Sequence, residues 1–365
     1  MNTQMRAARL HQPGKLQIDT IAVPRPQPHD ALVQVKACGM IPAMEAVVQG
    51  TRWNLAPPPA VMGLDAAGVV VEASPERKDI AQGDRVYINP LLSCGSCAYC
   101  RAGSPVLCSA AALRGYFAFA PEGVRLLERY PYGGLCEYVT ASPQSLVKLP
   151  DSVSFEQGAR FGYLGTAFAA LRLGGAGAGS WIAINGITGT LGVGAVLLAL
   201  GMGVTRILGW GRNRRVLEQL KRLSPSRIDT LAMGEEPIRQ WVRARTEGLG
   251  VDLLLDCTGR GGPAAPVLEG IDSLKRGAHV VNVGALAEPL GLSPVQFMTS
   301  RMQYRGSMWF LSAEAELMAD MARVGVLDLS PLEPRVYPLS KVNEALADVS
   351  GRPGGFTNIV VAPDR

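Results

Sequence analysis

The stretch Trp181–Val204, "WIAINGITGTLGVGAVLLALGMGV", decides how the rest of the chain is read. It is the longest apolar run, and it has the length of a membrane span. Its glycines argue for a buried core instead. "SWIAING" reads as a strand and "TLGVGAVLLALGMG" as a helix, with Gly186, Gly189 and Gly192 spaced through the turn between them. Glycines after a strand and at the mouth of a helix let the backbone approach a pyrophosphate. The helix N-terminus, with Thr190 and Leu191, adds N–H donors and partial positive charge. The spacing is GxxGxxG, looser than GxGxxG. The run "GGAGAG" at Gly174–Gly179 precedes the strand and reads as a loop.

Downstream the alternation continues with "RILGW" (strand), "RRVLEQLKRL" (helix), and the buried strands "VDLLLDCTG" and "GAHVVNVGA". Strands alternating with helices of about ten residues imply a doubly wound parallel sheet. The second strand runs into "RILGWGRNRR". An acidic residue there would hold the ribose hydroxyls of NAD. Gly211 makes room instead, and Arg212, Arg214 and Arg215 match a 2′-phosphate, so NADPH is the expected cofactor. A solvated basic helix start is the plainer explanation of the same arginines. Cys257, Thr258, Gly284 and Ala285 close two further strands at the edge where ligands bind in such sheets.

Upstream, the first 150 or so residues read as short strands and turns, as in "ALVQVKACG", "AAGVVVEA" and "DRVYINP". The chain has 365 residues, 47% apolar, and a net charge of +5 without a basic tail or repeat. Two domains are the natural expectation, and neither a nucleic-acid partner nor a membrane is implied. No signal-like segment opens the chain, so the protein reads as soluble and cytoplasmic.

The stretch "CGSCAYCRAGSPVLC" places Cys94, Cys97, Cys100 and Cys108 with gaps of two, two and seven residues. Four thiolates saturate a tetrahedral zinc, which leaves no open position for water or substrate. The cluster therefore reads as one structural zinc site. Free thiols are the alternative.

The four-cysteine lobe, "GDRV" at Gly83–Val86, "GGLCEYV" at Gly133–Val139 and the glycine-rich turn together resemble the zinc-type medium-chain dehydrogenase/reductase family of alcohol dehydrogenases and related reductases. The resemblance spans nearly the whole chain. It implies an α/β protein: a GroES-like, mostly-β catalytic domain over 1–163 with the zinc lobe at about 90–110, a Rossmann NADP-binding domain over 164–306, and a return to the catalytic domain over 307–365. It also implies a homodimer or tetramer, with the strand near "YRGSMWF" in the interface, and places Thr166 beside the nicotinamide. Asn358 stands where many relatives carry a pyrophosphate-binding arginine.

The resemblance breaks at the second, catalytic zinc. The first ligand position reads Ile41 in "ACGMIPAM", with Cys38 three residues early and expected to point away. The second reads Leu64 in "GLD", with Asp65 in place of a glutamate. The third aligns with Gly162 in "FGYLGT", and the relay positions are Ala43 and Ala46. The three histidines, His11, His29 and His279, lie outside these motifs. Aliphatic side chains and glycine offer a metal no donor, so the structural zinc is expected and the catalytic zinc is not.

Without that zinc, adding a hydride to a plain carbonyl leaves an unsupported alkoxide. A conjugated enone, enal or iminium gives a delocalised anion that needs less help. The expected function is NADPH-dependent reduction of an activated C=C or C=N bond in a small apolar substrate. The alternatives are a zinc-independent carbonyl reductase or alcohol dehydrogenase with a Tyr or Asp acid, and a non-catalytic NADPH-binding protein. Tyr163 and Asp65 are the candidate proton donors, although Asp65 also has a structural reading. Ile41, Trp53, Leu64, Tyr116, Phe117, Trp309 and Phe310 are the expected pocket lining, and core packing explains each of the aromatics as well.

Overall fold

The computed structural model describes residues 3–50 and 54–363. The expected pocket residue Trp53 lies outside the described residues. Six strands form one parallel sheet: β1 Trp181–Asn185, β2 Arg206–Gly211, β3 Ile228–Ala232, β4 Val251–Asp256, β5 Leu274–Asn282 and β6 Gln303–Gly306. Their order is β3-β2-β1-β4-β5-β6, so the chain reverses its direction of travel between β1 and β4. Ligands bind at such a switch point, outside the carboxyl ends of the strands. Strands β1 and β4 are apolar almost throughout because helices cover both faces of the sheet. The apolar stretch quoted first resolves into β1, a turn, and the buried helix Thr190–Gly201. No described helix is long and apolar enough to cross a membrane.

The remaining strands build a mostly antiparallel sheet. Its centre is the nine-residue strand Ala31–Gly39, which pairs with Asp65–Glu72 on one side and, on the other, with Tyr138–Ala141 and the C-terminal strand Thr357–Ala362. That last pairing sets Val360 opposite Gly39 and Val361 opposite Cys38, so the tail returns to the first sheet after the parallel sheet is complete. Two elements bring the sheets together. The helix Phe161–Leu173 packs on the helix Thr190–Gly201, and the helix Ser312–Arg323 packs on both Phe161–Leu173 and the strand Leu146–Lys148. One apolar cluster runs from Ile41 and Leu64 through Phe161 and Leu164 to Val193 and Leu255, without a polar seam between the sheets.

Three elements go beyond the sequence expectations. Strand β3 and the helices Pro294–Ser300 and Ser312–Arg323 lie in stretches of mixed polarity whose periodicity is weak. The run Gly174–Gly179 forms turns before β1, as expected of a loop.

Candidate functional site

The glycine turn is built for close approach of a ligand backbone. Gly186 has φ +73°. A Cβ on Gly192 would lie 2.5 Å from the Gly186 carbonyl oxygen, so only hydrogen fits there. Gly189 is exposed and is the N-cap residue of the twelve-residue helix, which has no side-chain cap. The first N–H groups of that helix are thus left for an external acceptor. Thr190 and Leu191 follow, both half-buried. The carboxyl ends of β1, β4 and β5 converge beside the turn: a Cβ on Gly186 would lie 3.1 Å from the Cys257 carbonyl, and Ala285 donates its N–H to Thr258 O at 2.8 Å. Gly284 packs on the Thr258 backbone, where a Cβ would fall 2.4 Å from its carbonyl oxygen.

Two residues absent from the sequence expectation organise this edge. Asp256, fully buried at the end of β4, accepts through Oδ1 from Asn185 Nδ2 (2.9 Å), Thr258 N (3.0 Å) and Thr258 Oγ1 (2.5 Å). Polar residues closing the apolar strands "WIAIN" and "VDLLLD" were the available signal.

At the end of β2, Gly211 abuts Thr188; a Cβ there would lie 2.7 Å from the threonine Oγ1 and Cγ2. The three arginines that follow are all exposed, but they have different surroundings. Arg214 pairs with Glu235, and Arg215 lines a separate polar cleft of about 140 Å³ with Glu333 and Arg335. Arg212 has no ion-pair partner among the described residues, which leaves it free for a phosphate.

The lobe cysteines meet as their spacing implies. The four sulfurs of Cys94, Cys97, Cys100 and Cys108 lie within 4.8 Å of one another. Tetrahedral Zn–S bonds of about 2.3 Å fit such a set. Backbone N–H groups point at two of the sulfurs: Cys97 N at Cys94 Sγ and Cys94 N at Cys108 Sγ, both at 3.3 Å. N–H groups of Ser96 and Cys97 bring the Cys94 thiol down to about 6. The site has the donors, charge and geometry of a closed metal centre.

The residues aligned with the family's second metal position have different surroundings. Ile41 and Leu64 are buried in the apolar cluster. A Cβ on Gly162 would lie 2.1 Å from Asp65 Oδ1, so the Asp65 carboxyl occupies the space a ligand side chain at 162 would need. Cys38 points elsewhere: its sulfur would lie 2.9 Å from a Cβ on Gly63 or Gly134, and burial pushes its thiol well up. Asp65 itself is 1% exposed. Tyr87 donates its hydroxyl to Asp65 Oδ1 at 2.9 Å. Burial raises the Asp65 carboxyl to about 7; Tyr87, Arg160 and the Gly162 backbone pull the other way. Walled by Gly162 and Tyr87, Asp65 differs from the exposed acid expected of a direct donor.

Tyr163 and Thr166 are the half-buried residues on the first turns of the helix Phe161–Leu173, one above the other on the same face. Thr166 Oγ1 donates to Gly162 O at 2.8 Å. The Tyr163 hydroxyl has no hydrogen-bond partner among the described residues, and burial raises the phenol, which stays protonated. Tyr116 and Phe117 stack at 4.6 Å, tilted by 40°, and each keeps 7% of its surface exposed. Trp309 keeps 9%, has φ +63°, and donates Nε1–H to Asn89 Oδ1 at 2.9 Å. Phe310 corrects the expected lining: it has no exposed surface. It is wedged against Gly165, where a Cβ would meet its ring at 2.5 Å, and between Trp309 and Tyr87.

Residues 27–151 match the alcohol dehydrogenase GroES-like domain, and residues 190–323 match the zinc-binding dehydrogenase family. An alcohol dehydrogenase of Geobacillus stearothermophilus is 28% identical over 337 residues, covering 90% of this chain and 93% of the relative. A sorbitol dehydrogenase of Macaca fascicularis is 25% identical over 341 residues, covering 92% and 90%. A solved zinc-binding dehydrogenase of Sinorhizobium meliloti bound to NADP superposes with a TM-score of 0.84 at 25% identity, covering 99% of this chain and all of that one. The chain belongs to the zinc-type medium-chain dehydrogenase/reductase family, as an oxidoreductase with a GroES-like domain and a parallel cofactor sheet.

Proposed function

We propose that this chain reduces an activated C=C or C=N bond with NADPH, and that it does so without a catalytic zinc while the lobe cysteines hold a structural one. The observation that carries the reading is the content of the second metal position. Ile41, Leu64 and Gly162 offer no lone pair, and the Asp65 carboxyl fills the volume a ligand at 162 would use. The choice of NADPH over NADH rests on Gly211 and the unpaired Arg212.

Bound NADPH supplies a hydride, which at the β-carbon of a conjugated acceptor leaves a delocalised enolate or enamine. The chain's own residues then have three tasks. Tyr163 presents a protonated phenol, without a hydrogen-bond partner among the described residues, from which the carbanion carbon takes a proton. Asp65 acts behind it by tying Tyr87 and the start of the Phe161–Leu173 helix into one buried unit. Tyr116, Phe117 and Trp309 provide an apolar wall that excludes water and suits a flat substrate.

A second reading is oxidation or reduction at an alcohol or carbonyl carbon, with Tyr163 as the acid or base. The names of the two curated relatives favour it. Product analysis after incubation with NADPH and matched enals, enones and saturated ketones separates the two. Saturated carbonyl products from enones are expected, whereas alcohols formed from saturated ketones at equal or higher rates would contradict the leading reading. We further propose a cytoplasmic homodimer paired through the exposed strand β6, which carries Tyr304 at the sheet edge.

A further inference from the structure

Two arginines near the pocket are buried, and they are satisfied differently. Arg114 donates to Thr140 O at 2.5 Å, lies over the Tyr130 ring at 4.9 Å, and has its Nε and Nη2 sealed inside the protein. Arg160 is 4% exposed and makes one hydrogen bond, from Nη2 to Gly355 O at 2.8 Å. Its guanidinium sits 5.6 Å from the Tyr163 ring centroid and shares an electrostatic neighbourhood with Asp65. A guanidinium has five donors. The other nitrogens of Arg160 have no acceptor among the described residues, yet they are not among the sealed, unpartnered atoms. They therefore reach open space.

The place they reach is set by Gly355. Its N–H donates to Thr188 O at 3.0 Å, and a Cβ on it would lie 2.3 Å from Gly189 O. The carbonyl that holds Arg160 thus belongs to the residue packed directly on the glycine turn. The guanidinium is thus held between the residue packed on that turn and the Tyr163 ring. Asn358 does not offer a polar group there: it is 1% exposed and spends its Nδ2 on Glu156 O at 2.6 Å.

We propose that Arg160 receives the nicotinamide-side phosphate of the bound dinucleotide, with the free edge of its guanidinium facing that phosphate across the glycine turn. This rests on the dinucleotide reading above. It accounts for a charge that is otherwise costly to bury: burial lowers the guanidinium only to about 10, so it stays cationic at neutral pH. The planar fork also suits a phosphate better than a lysine would.

The test compares two ligands on three proteins. NADPH carries both bridging phosphates; 2′,5′-ADP keeps the 2′-phosphate and the adenosine-side phosphate only. Binding to wild type, Arg160→Met and Arg160→Lys is followed by fluorescence titration and calorimetry. Arg160→Met should lose about 10- to 100-fold in NADPH affinity, the range of one charge-assisted hydrogen bond. Its affinity for 2′,5′-ADP should be unchanged, and Arg160→Lys should recover part of the loss. Unchanged NADPH affinity in Arg160→Met would overturn the proposal. So would an equal loss for both ligands, which would mean that Arg160 only holds Gly355 and the turn in shape. If Arg160→Met does not fold, Arg160→Lys and Arg160→Gln are compared on the same criteria. A wild-type protein that binds neither ligand would overturn the dinucleotide reading itself.

Discussion

The lobe at Cys94–Cys108 and the residues around Gly162 align with two metal positions of one family, and their surroundings differ. In the lobe, four sulfurs converge within 4.8 Å and backbone N–H groups point at them. At the other position, Ile41 and Leu64 are buried in the apolar cluster, and Gly162 abuts the Asp65 carboxyl, which accepts from Tyr87. The contrast separates the two uses of zinc. A closed thiolate site serves the fold and can outlast a change of chemistry. An open site serves the reaction, and its ligands can be replaced once the substrate's own conjugation stabilises the developing charge.

The comparison can be broken from either side. The largest effect is expected in the lobe. Cys100→Ser should lose the metal and several kcal/mol of stability, because metal binding and folding are coupled in such sites. Thermal unfolding with and without a chelator measures this. A stable, soluble but inactive Cys100→Ser protein would give the lobe a catalytic rather than a structural role.

The pocket's signature is a pH effect. A carboxyl raised from 3.8 to about 7 on folding keeps its proton in the native state after the unfolded chain has lost it. The native state then binds more protons between those values, so stability falls as pH rises from about 4 to about 7. The loss amounts to a few kcal/mol at most. Asp65→Asn should flatten this slope in Tm against pH, whereas an equally steep slope in the variant would assign it to other groups.

The smallest effect concerns the cofactor. Arg212→Glu should weaken NADPH by about 10-fold or more through like-charge repulsion and a lost contact, with little change for NADH. An equal loss for both would remove Arg212 from the 2′-phosphate site. Arg212 is a cleaner probe than Gly211, where any side chain must first displace Thr188.

Much of this was legible in the sequence because it rests on local pattern. The apolar runs and punctuating glycines of 181–211 give strand, turn and helix directly, and the cysteine spacing gives the lobe. What was not legible depends on long-range packing. Nothing in the local sequence singles out Arg160; its place depends on Gly355, almost two hundred residues on, which accepts from it and packs on the glycine turn. Asp65 reads as a proton donor or a structural acid until Gly162 and Tyr87 are seen to close over it. Phe310 reads as pocket lining until Gly165 is seen to accept its ring.

The most direct test is the zinc content per chain of a preparation that turns over NADPH with a conjugated enone. One zinc per chain, retained in the four-cysteine lobe, is the predicted result. Two per chain, with the second beside Gly162, would contradict the account.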